Sequence, residues 1–151
     1  MLIKRSAVFE EIFSVMMDCR ESFYDQRYND QNVILRLADK FSNNADFVSI
    51  YIDKKVAGFI SYYANNYETK TAFISMIIVK KEFSKRGIGT KLLEYACKES
   101  IKRGMENISL EVDFKNANAI SFYFKNNFHQ EVSKKDGMLY LTKKLESEQL
   151  E

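Results

Sequence analysis

The segment IIVKKEFSKRGIGT, from Ile77 to Thr90, is the most informative part of the chain. Three apolar residues lead through a short polar loop into a helix start that contains Gly87 and Gly89. The first N–H groups of a helix have no partner within the helix and carry partial positive charge. Because glycine has no side chain, a phosphate oxygen can approach such amides closely, and the preceding Lys-Arg pair adds positive charge. The segment therefore predicts a diphosphate-binding turn between a strand and a helix.

Spacing excludes two other phosphate-binding motifs for this segment. A Walker loop has the pattern G-x-x-x-x-G-K-[ST], which the sequence lacks. The dinucleotide fingerprint G-x-G-x-x-G would need a third glycine at position 92, where Leu92 stands. The alternative is that Gly87 and Gly89 have only a structural role and permit the tight turn that begins the helix.

Hydrophobic periodicity along the chain predicts an α/β fold with a mixed sheet. Apolar residues recur at helical spacing in four segments, at about residues 7–20, 34–44, 88–104 and 117–126. Strand-like runs occupy seven segments, at about residues 2–5, 47–52, 56–64, 71–79, 107–112, 128–132 and 138–145. The run at 71–79 is apolar on both faces towards its end, which is typical of a central strand. We expect one domain over residues 1–145 and a disordered polar tail at 146–151.

The net charge and the cysteine and histidine counts argue against several classes of function. The 151 residues include 23 Lys and Arg against 21 Asp and Glu, so the net charge of +2 does not favour nucleic-acid binding. Cys19 and Cys97 are far apart and His129 is the single histidine, which argues against a disulfide scaffold and a Cys/His metal site. The longest apolar run, residues 73–79, is too short to span a membrane. We therefore expect a cytoplasmic protein with no metal, no nucleic-acid partner and no membrane partner.

A second informative segment, LEVDFKNANAISFYFKNNF, runs from Leu110 to Phe128. Asn116 is a favourable N-cap for a helix over the residues that follow it. Tyr123 lies seven residues later, nearly two helical turns, and therefore on roughly the same face as Asn116. Asn127 suits the left-handed position that ends a helix, where glycine is commoner. The segment thus predicts a strand, a capped helix and a left-handed helix end in immediate succession.

Together the two segments resemble the GNAT superfamily of acyl-coenzyme A-dependent N-acetyltransferases. The signature of that family is a strand, then [QR]-x-x-G-x-[GA] at the start of a helix, and later N-x-x-A-x-x-Φ-Y-x-K-x-G-F, where Φ is apolar. Here the first motif reads SKRGIG from Ser84, and the second is carried by Asn116, Ala119, Phe122, Tyr123, Lys125, Asn127 and Phe128. Ser84 stands in place of Gln or Arg, which removes one side-chain contact near the diphosphate. Asn127 replaces a glycine, a change that left-handed backbone geometry allows.

The resemblance implies a GNAT fold and acetyl-CoA as the cosubstrate. Such a fold has a central mixed sheet of about six or seven strands, flanked by about four helices and splayed at the cofactor site. The pantetheine arm would pair with the backbone of Ile77, Ile78 and Val79, and a backbone N–H near Ile78 would polarise the thioester carbonyl. The diphosphate would lie on the amides of Ser84, Lys85, Arg86, Gly87, Ile88, Gly89 and Thr90.

The resemblance also implies catalytic roles for two residues. Tyr123 matches the general acid that protonates the departing thiolate, and a phenol with a pKa of about 10 is protonated at neutral pH. Glu111, in an L-E-V strand before Asn116, is similar to the base of N-terminal protein acetyltransferases; a solvated or ion-paired carboxylate is the alternative. Ser75 could instead hold a water molecule that relays the proton. Asn116 would contact the cofactor or act only as the helix cap.

The acceptor site is expected around the loop between the first two helices, near residues 23–32. This family usually frames its substrate there, so Tyr24 and Tyr28 are expected to bind the acceptor. Other candidates for the same surface are Phe23, Asp25, Asn29, Tyr62, Tyr63 and Tyr67. An aromatic lining with a carboxylate would suit a cationic or hydroxylated small amine.

Three functions remain open from the sequence. The first is transfer of an acetyl group from acetyl-CoA by direct attack of a small primary amine, such as an amino sugar, an amino acid or a polyamine-like compound. The second is acetylation of a protein N-terminus or a lysine side chain, and the third is a non-catalytic acyl-CoA-binding module. We also expect a homodimer, for which the last strand, at residues 138–145, would offer an exposed edge.

Overall fold

The computed structural model describes residues 1–132 and 135–146 of the chain. The described part contains seven strands: β1 Leu2–Ser6, β2 Asp46–Ile52, β3 Lys55–Tyr63, β4 Thr71–Val79, β5 Asn107–Asp113, β6 His129–Glu131 and β7 Met138–Lys144. The sheet is flanked by four α-helices: α1 Phe9–Cys19, α2 Gln31–Asn44, α3 Ile88–Lys102 and α4 Ala117–Lys125. The predicted helices and strands are therefore present, with ends that differ by a few residues. No helix among the described residues combines the length and the apolar character needed to cross a membrane.

The strands form one sheet in the order β1-β2-β3-β4-β5-β7-β6. β4 occupies its middle, so the prediction of a central strand at residues 71–79 is confirmed. The β1-β2 and β2-β3 pairs are antiparallel, the β4-β5 pair is parallel, and the β5-β7 and β7-β6 pairs are again antiparallel. The fold is therefore the mixed α/β sheet that the sequence predicts.

The predicted edge position of the last strand is wrong. β7 lies between β5 and β6, because residues 129–131 pair with residues 140–142 on the side of β7 that faces away from β5. Within the described part of the chain the edge strands are therefore β1 and β6. A homodimer stays a prediction, and it can no longer be argued from a free edge on β7.

The chain packs as two compact units, of which the first comprises residues 1–63 and 76–96. In this unit α1 packs against α2 and β3, and α2 packs against β2. The core side chains are Ile12, Val15, Met16, Cys19, Phe23, Ile34, Ala38, Phe41, Phe47, Val56 and Phe59. On both helices the buried residues recur every three or four positions, which is typical of amphipathic helices that bury one face.

The second unit comprises residues 64–75 and 97–151, and the tail residues 147–151 lie outside the described part. Alternate residues of β5 lie on opposite faces of the strand. Ile108 and Leu110 are buried, as is Leu141 of β7. On the other face the Ser109 hydroxyl donates a hydrogen bond to Thr142 Oγ1 at 3.0 Å. The two hydroxyls are buried and therefore satisfy each other on this second face of the sheet.

Candidate active site

The end of β4 is an apolar strand that is only partly buried. Ile77, Ile78 and Val79 all retain some exposure, although a central strand normally buries apolar side chains on both faces. Ile78 packs against the core of the first unit. β4 pairs with β5 at residues 71–73, which face residues 107–109. Ile77, Ile78 and Val79 therefore lie further along β4, beyond this pairing. The predicted pantetheine site thus offers apolar side chains that a ligand can reach.

The turn between β4 and α3 has a backbone conformation suited to anions. Lys85 and Gly87 have φ angles of 62° and 77°, in the left-handed region, and Arg86 lies between them. The Lys91 N–H donates to the Gly87 carbonyl oxygen at 3.1 Å, so the amides that begin α3 precede its first intrahelical bond. Turns that contain left-handed residues can form anion-binding concavities called nests. We call residues 84–90 the nest.

The nest has room for a ligand and carries positive charge. A Cβ placed on Gly87 would meet no heavy atom within 4 Å. The side chains of Ser84, Lys85 and Arg86 are exposed. Lys85 holds a conformation that costs a non-glycine residue about 1–2 kcal/mol, and strained backbone of this kind is concentrated at ligand sites. These features fit a diphosphate.

The loop that leads into the nest is anchored to the end of α1. The Lys80 ammonium lies 2.8 Å from Asp18 Oδ2, and the Lys80 side chain is only 14% exposed. The Lys81 N–H donates to the Ser22 hydroxyl at 3.2 Å. The Arg86 guanidinium lies 5.3 Å from the centre of the buried Phe83 ring. These contacts fix the loop.

Asp18 and Ser22 were missed by the sequence analysis as supports for the nest. Asp18 is separated from Lys80 by 62 positions, and Ser22 from Lys81 by 59. A contact of that range leaves no trace in local periodicity or in motif spacing. Asp18 in particular reads from the sequence as an ordinary charge on the solvated side of α1.

Helix α4 of the second unit is capped by asparagine at both ends, as predicted. Asn116 Oδ1 accepts a hydrogen bond from the Ala119 N–H at 3.3 Å. At the other end Asn127 has a φ angle of 70°, and the Phe128 N–H donates to the Tyr123 carbonyl oxygen at 3.0 Å. This six-residue bond is the mark of a Schellman motif. The capping role of Asn116 is confirmed, and its contact with a cofactor stays a prediction.

Tyr123 is buried on α4, with 5% of its surface exposed. Its ring contacts Phe122 and Phe128 edge-on, with ring centroids 5.2 and 5.4 Å apart. Burial raises the pKa of the Tyr123 hydroxyl above its usual value near 10. The phenol therefore keeps its proton through the neutral and mildly alkaline range, as a general acid must. Its role as the acid stays a prediction.

Glu111 is exposed on β5, between the buried residues Leu110 and Val112. The pairing of β5 with β7 places it opposite Tyr140. An accessible carboxylate can accept a proton from an amine and release it to water. Ser75, the alternative holder of a relay water, is partly buried on β4. Over the described residues, no group of three or more His, Cys, Asp or Glu side chains could hold a metal ion.

Tyr24 and Tyr28, the predicted acceptor-binding residues, lie on the surface of the first unit, with 54% and 46% of their surfaces exposed. Between them Asp25 caps the short 3-10 helix Gln26–Asn29 and pairs with Arg27, whose guanidinium lies 2.6 Å from Asp25 Oδ2. The hydrogen bonds from Arg27 lower the pKa of Asp25. Asp25 is thus already paired within the chain and does not present an unused carboxylate to a cationic acceptor.

Phe23 and Tyr62, considered above for the acceptor surface, belong to the core instead. Phe23 contacts Phe59 edge-on at 6.4 Å, and Tyr62 is fully buried. Phe23 fills the space where the helices of the first unit meet its strands, and Tyr62 has no exposed surface, so neither can line a surface site. Tyr63 is partly buried, and burial of its hydroxyl raises its pKa. Tyr67 is exposed in the second unit.

A family comparison agrees with this geometry. The model of the acetyltransferase (GNAT) family matches residues 9–128, which is well over half of the chain. The chain belongs to this family. The matched range includes both the nest and the capped helix that carries Tyr123. The resemblance drawn from the sequence motifs is therefore confirmed.

Known proteins similar to this GNAT protein differ in the acceptors that their names imply. The chain is 27% identical over 77 residues to the N-alpha-acetyltransferase MAK3 of Arabidopsis thaliana, a match over 51% of this chain and 40% of that protein. The matched part thus spans less than half the length of this curated relative.

Solved structures of other acetyltransferases share the fold. The PaiA N-acetyltransferase from Thermoplasma acidophilum, in complex with coenzyme A, has a TM-score of 0.75 and 20% identity, covering 95% of this chain and 99% of that chain. Aminoglycoside 6'-acetyltransferase type Ii has a TM-score of 0.80 and 19% identity, covering 97% and 98%. At these identities the likeness concerns the fold alone.

The two cysteines of this GNAT protein are free and buried. Burial raises the pKa of the Cys19 thiol to about 12. Because the thiolate is the reactive form, the native protein should react with less than about 0.1 equivalent of a thiol reagent such as DTNB within minutes at pH 8. After unfolding in guanidinium both thiols should react. The absorbance of the released thionitrobenzoate measures this, and fast reaction of the native protein would contradict it.

Proposed function

We propose that this GNAT protein is an N-acetyltransferase that moves the acetyl group of acetyl-CoA to a primary amine. The observation that carries the proposal is the nest, where the left-handed Lys85 and Gly87 precede the start of α3 beside open space and exposed basic side chains. The half-exposed apolar end of β4 precedes it. A ligand with a diphosphate and an uncharged pantetheine arm matches this pairing. The coenzyme A complex of the PaiA protein supports it.

In the proposed reaction the amine nitrogen attacks the thioester carbonyl directly. The new C–N bond forms, and the C–S bond then breaks. Glu111 accepts the proton that the amine loses, and Tyr123 donates its proton to the departing CoA thiolate and regains one from solvent. A backbone N–H at the end of β4 stabilises the oxyanion. Asn116 holds the helix that carries Tyr123.

A small-molecule amine is the first candidate acceptor, namely an amino sugar, an amino acid or a polyamine-like compound. The rings of Tyr24 and Tyr28 can stack on such a molecule, and their hydroxyls can bond to it. Because Asp25 is paired with Arg27, we favour a hydroxylated acceptor over one that relies on a carboxylate here. The fold shared with the aminoglycoside acetyltransferase supports this class.

A protein N-terminus is the second candidate acceptor. A small acceptor is usually enclosed, whereas a peptide needs an open surface, and about half of each of the two tyrosines is exposed. The partial match to an N-alpha-acetyltransferase supports this class too. A cytoplasmic location and a homodimer stay predictions for either acceptor.

Calorimetric titration with acetyl-CoA and with free CoA tests the proposal. We expect a Kd in the micromolar range for both, about −8 kcal/mol. Gly87→Ala should weaken binding by about tenfold or more, because it strains the nest and puts a methyl group where the phosphate approaches. Gly104→Ala is the matched control: Gly104 also has a positive φ angle and open space around it, but it lies outside the nest.

Each outcome of this titration has a definite meaning. The two variants should lose similar amounts of stability in urea, about 1–2 kcal/mol, since both force a side chain into left-handed backbone. Equal affinity of the parent and Gly87→Ala for acetyl-CoA would show that the nest does not contribute to cofactor binding. Failure of the parent to bind either ligand would overturn the proposed function.

A panel of amines then separates the two acceptor classes. Release of the CoA thiol is followed with DTNB, with amino sugars, amino acids, polyamines and short peptides as acceptors. Turnover of small amines alone supports the first candidate, and turnover of peptides with a free N-terminus supports the second. Binding of acetyl-CoA without turnover of any acceptor would favour a non-catalytic acyl-CoA-binding module.

A further inference from the structure

The neighbouring strand β3 is irregular at the point where it meets the end of β4. In its pairing with β2, Gly58 lies opposite Ile50 and Val56 lies opposite Tyr51, so Ala57 is an extra residue in the ladder. One extra residue in a strand is a β-bulge, which bends the strand and increases its twist. Bulges are frequent beside active sites, where they redirect a neighbouring group.

Gly58 is the residue next to this bulge, and it leaves no room for a side chain. A Cβ at this position would lie 2.4 Å from the Ile78 carbonyl oxygen and 3.2 Å from the Val79 Cα. Both contacts are with backbone, which cannot rotate out of the way as a long side chain can. Glycine within a strand costs about 0.5–1 kcal/mol relative to alanine. The close approach of β4 is the physical reason for a glycine here.

The contacts with β3 fix the direction of the backbone groups at the end of β4. The Ile78 carbonyl faces Gly58, and the Lys80 N–H donates to the Ala57 carbonyl oxygen at 2.8 Å. Along a strand, the hydrogen-bonding groups of successive residues point to opposite edges. The N–H of Val79, which lies between these two residues, therefore faces away from β3.

We propose that Gly58 is a positioning residue for the thioester, and that the Val79 N–H is the donor to its carbonyl oxygen. The inference rests on the proposed function and makes it more specific, since the sequence indicated only an N–H near Ile78. Without a Cβ, Gly58 lets the Ile78 carbonyl settle against β3, and the N–H at the other side of the same trans peptide, that of Val79, then points outward. A methyl group would push that peptide away and rotate the amide.

The test is a spectroscopic comparison of the parent with Gly58→Ala, each saturated with acetyl-CoA labelled with ¹³C at the carbonyl. Hydrogen bonding lowers the infrared stretching frequency of the thioester carbonyl. In the parent we expect a clear shift to lower frequency relative to free acetyl-CoA, and in Gly58→Ala a shift back towards the free value. The Kd should change less than about threefold, because the nest is untouched, while kcat falls by about 10- to 100-fold.

Gly104→Ala again serves as the control, since it introduces the same methyl group into the chain outside both the nest and β3. Its bound carbonyl band should match that of the parent. A merely structural role for Gly58 would lower stability and leave the carbonyl frequency of the bound ligand unchanged, and that result would overturn the inference. Failure of the parent to bind acetyl-CoA would instead overturn the proposed function, so the two failures are distinguishable.

A second measurement covers the case in which Gly58→Ala does not fold. In the amide spectrum of the parent, the Val79 N–H signal should move downfield when acetyl-CoA replaces free CoA as the bound ligand. The Ile78 N–H signal should not move in this way, because the Ile78 backbone faces β3. A downfield movement of Ile78 and none of Val79 would overturn the assignment of the donor.

Discussion

Replacement of Tyr123 by phenylalanine is expected to lower kcat by about 10²- to 10⁴-fold, the usual range for loss of a general acid. The variant removes one oxygen and keeps the ring that contacts Phe122 and Phe128. Because the hydroxyl is buried and its pKa is raised, it is protonated at every pH at which the enzyme would be assayed. Loss of this donor leaves the CoA thiolate to depart without a proton. The measurement is steady-state release of CoA from a saturating acceptor.

Two observations separate a catalytic role of Tyr123 from a packing role. The Kd for acetyl-CoA and the urea midpoint of Tyr123→Phe should stay close to those of the parent, since the ring packing is preserved. Tyr51→Phe, which removes a hydroxyl from β2, is the control and should leave kcat unchanged. If Tyr123→Phe has the kcat of the parent, Tyr123 is a core residue and another group protonates the thiolate.

The raised pKa of Tyr123 also predicts the pH dependence of stability. The unfolded chain ionises this phenol at its usual pKa near 10, while the folded chain holds the proton to higher pH. Folding therefore gains from the protonated group below pH 10, and the gain is lost as the pH rises above that value. For the same reason, kcat should show no decrease caused by ionisation of Tyr123 below about pH 10.

The parts of the site that could be predicted from the sequence are those set by local geometry. A left-handed turn before a helix depends on the backbone of a few consecutive residues, and the glycine at position 87 indicates it. Asn116 caps α4 through its side-chain oxygen and Asn127 ends it through its left-handed backbone, and both effects involve only neighbouring residues. Periodicity also predicted β4 as the central strand.

The parts that could not be predicted depend on contacts between distant segments. Nothing near Gly58 in sequence reveals that the Ile78 carbonyl approaches it. The ion pair of Asp18 with Lys80 joins α1 to the loop before the nest. The position of β7 likewise depends on its pairing with the distant β5, whereas the sequence analysis expected the last strand to offer an exposed edge.

Residues of the same type also lie in different environments, and the sequence does not show which of them are buried and which are exposed. Tyr62 is fully buried, Tyr24 is about half exposed and Tyr123 is buried on α4, although all three are tyrosines with both polar and apolar neighbours in sequence. The sequence offers Asp25 as a carboxylate for a cationic acceptor, whereas the structure pairs it with Arg27, two residues later. An exposed Asp-x-Arg is too common a pattern to predict a bidentate contact.

Replacement of Glu111 by glutamine is the second change with a large expected effect, about 10²-fold in kcat/KM for the amine at pH 7. The change keeps the size of the side chain and removes its ability to accept a proton. Glu111 is exposed on β5, so the variant should fold and bind acetyl-CoA as the parent does. Glu131→Gln, the same change on the exposed edge strand β6, is the matched control and should keep the activity of the parent.

The pH profile decides whether Glu111 is the base, because an alkylamine acceptor is mostly protonated below its own pKa of about 10. With the base in place, the bound ammonium can lose its proton at neutral pH, so the parent should be active at pH 7. Without it, only the fraction of amine already neutral in solution can react, and that fraction rises tenfold with each unit of pH. The defect of Glu111→Gln should therefore shrink steadily between pH 7 and pH 10. A defect of constant size across this range would mean that Glu111 supports the site in another way and that a water held near Ser75 remains the candidate for the base.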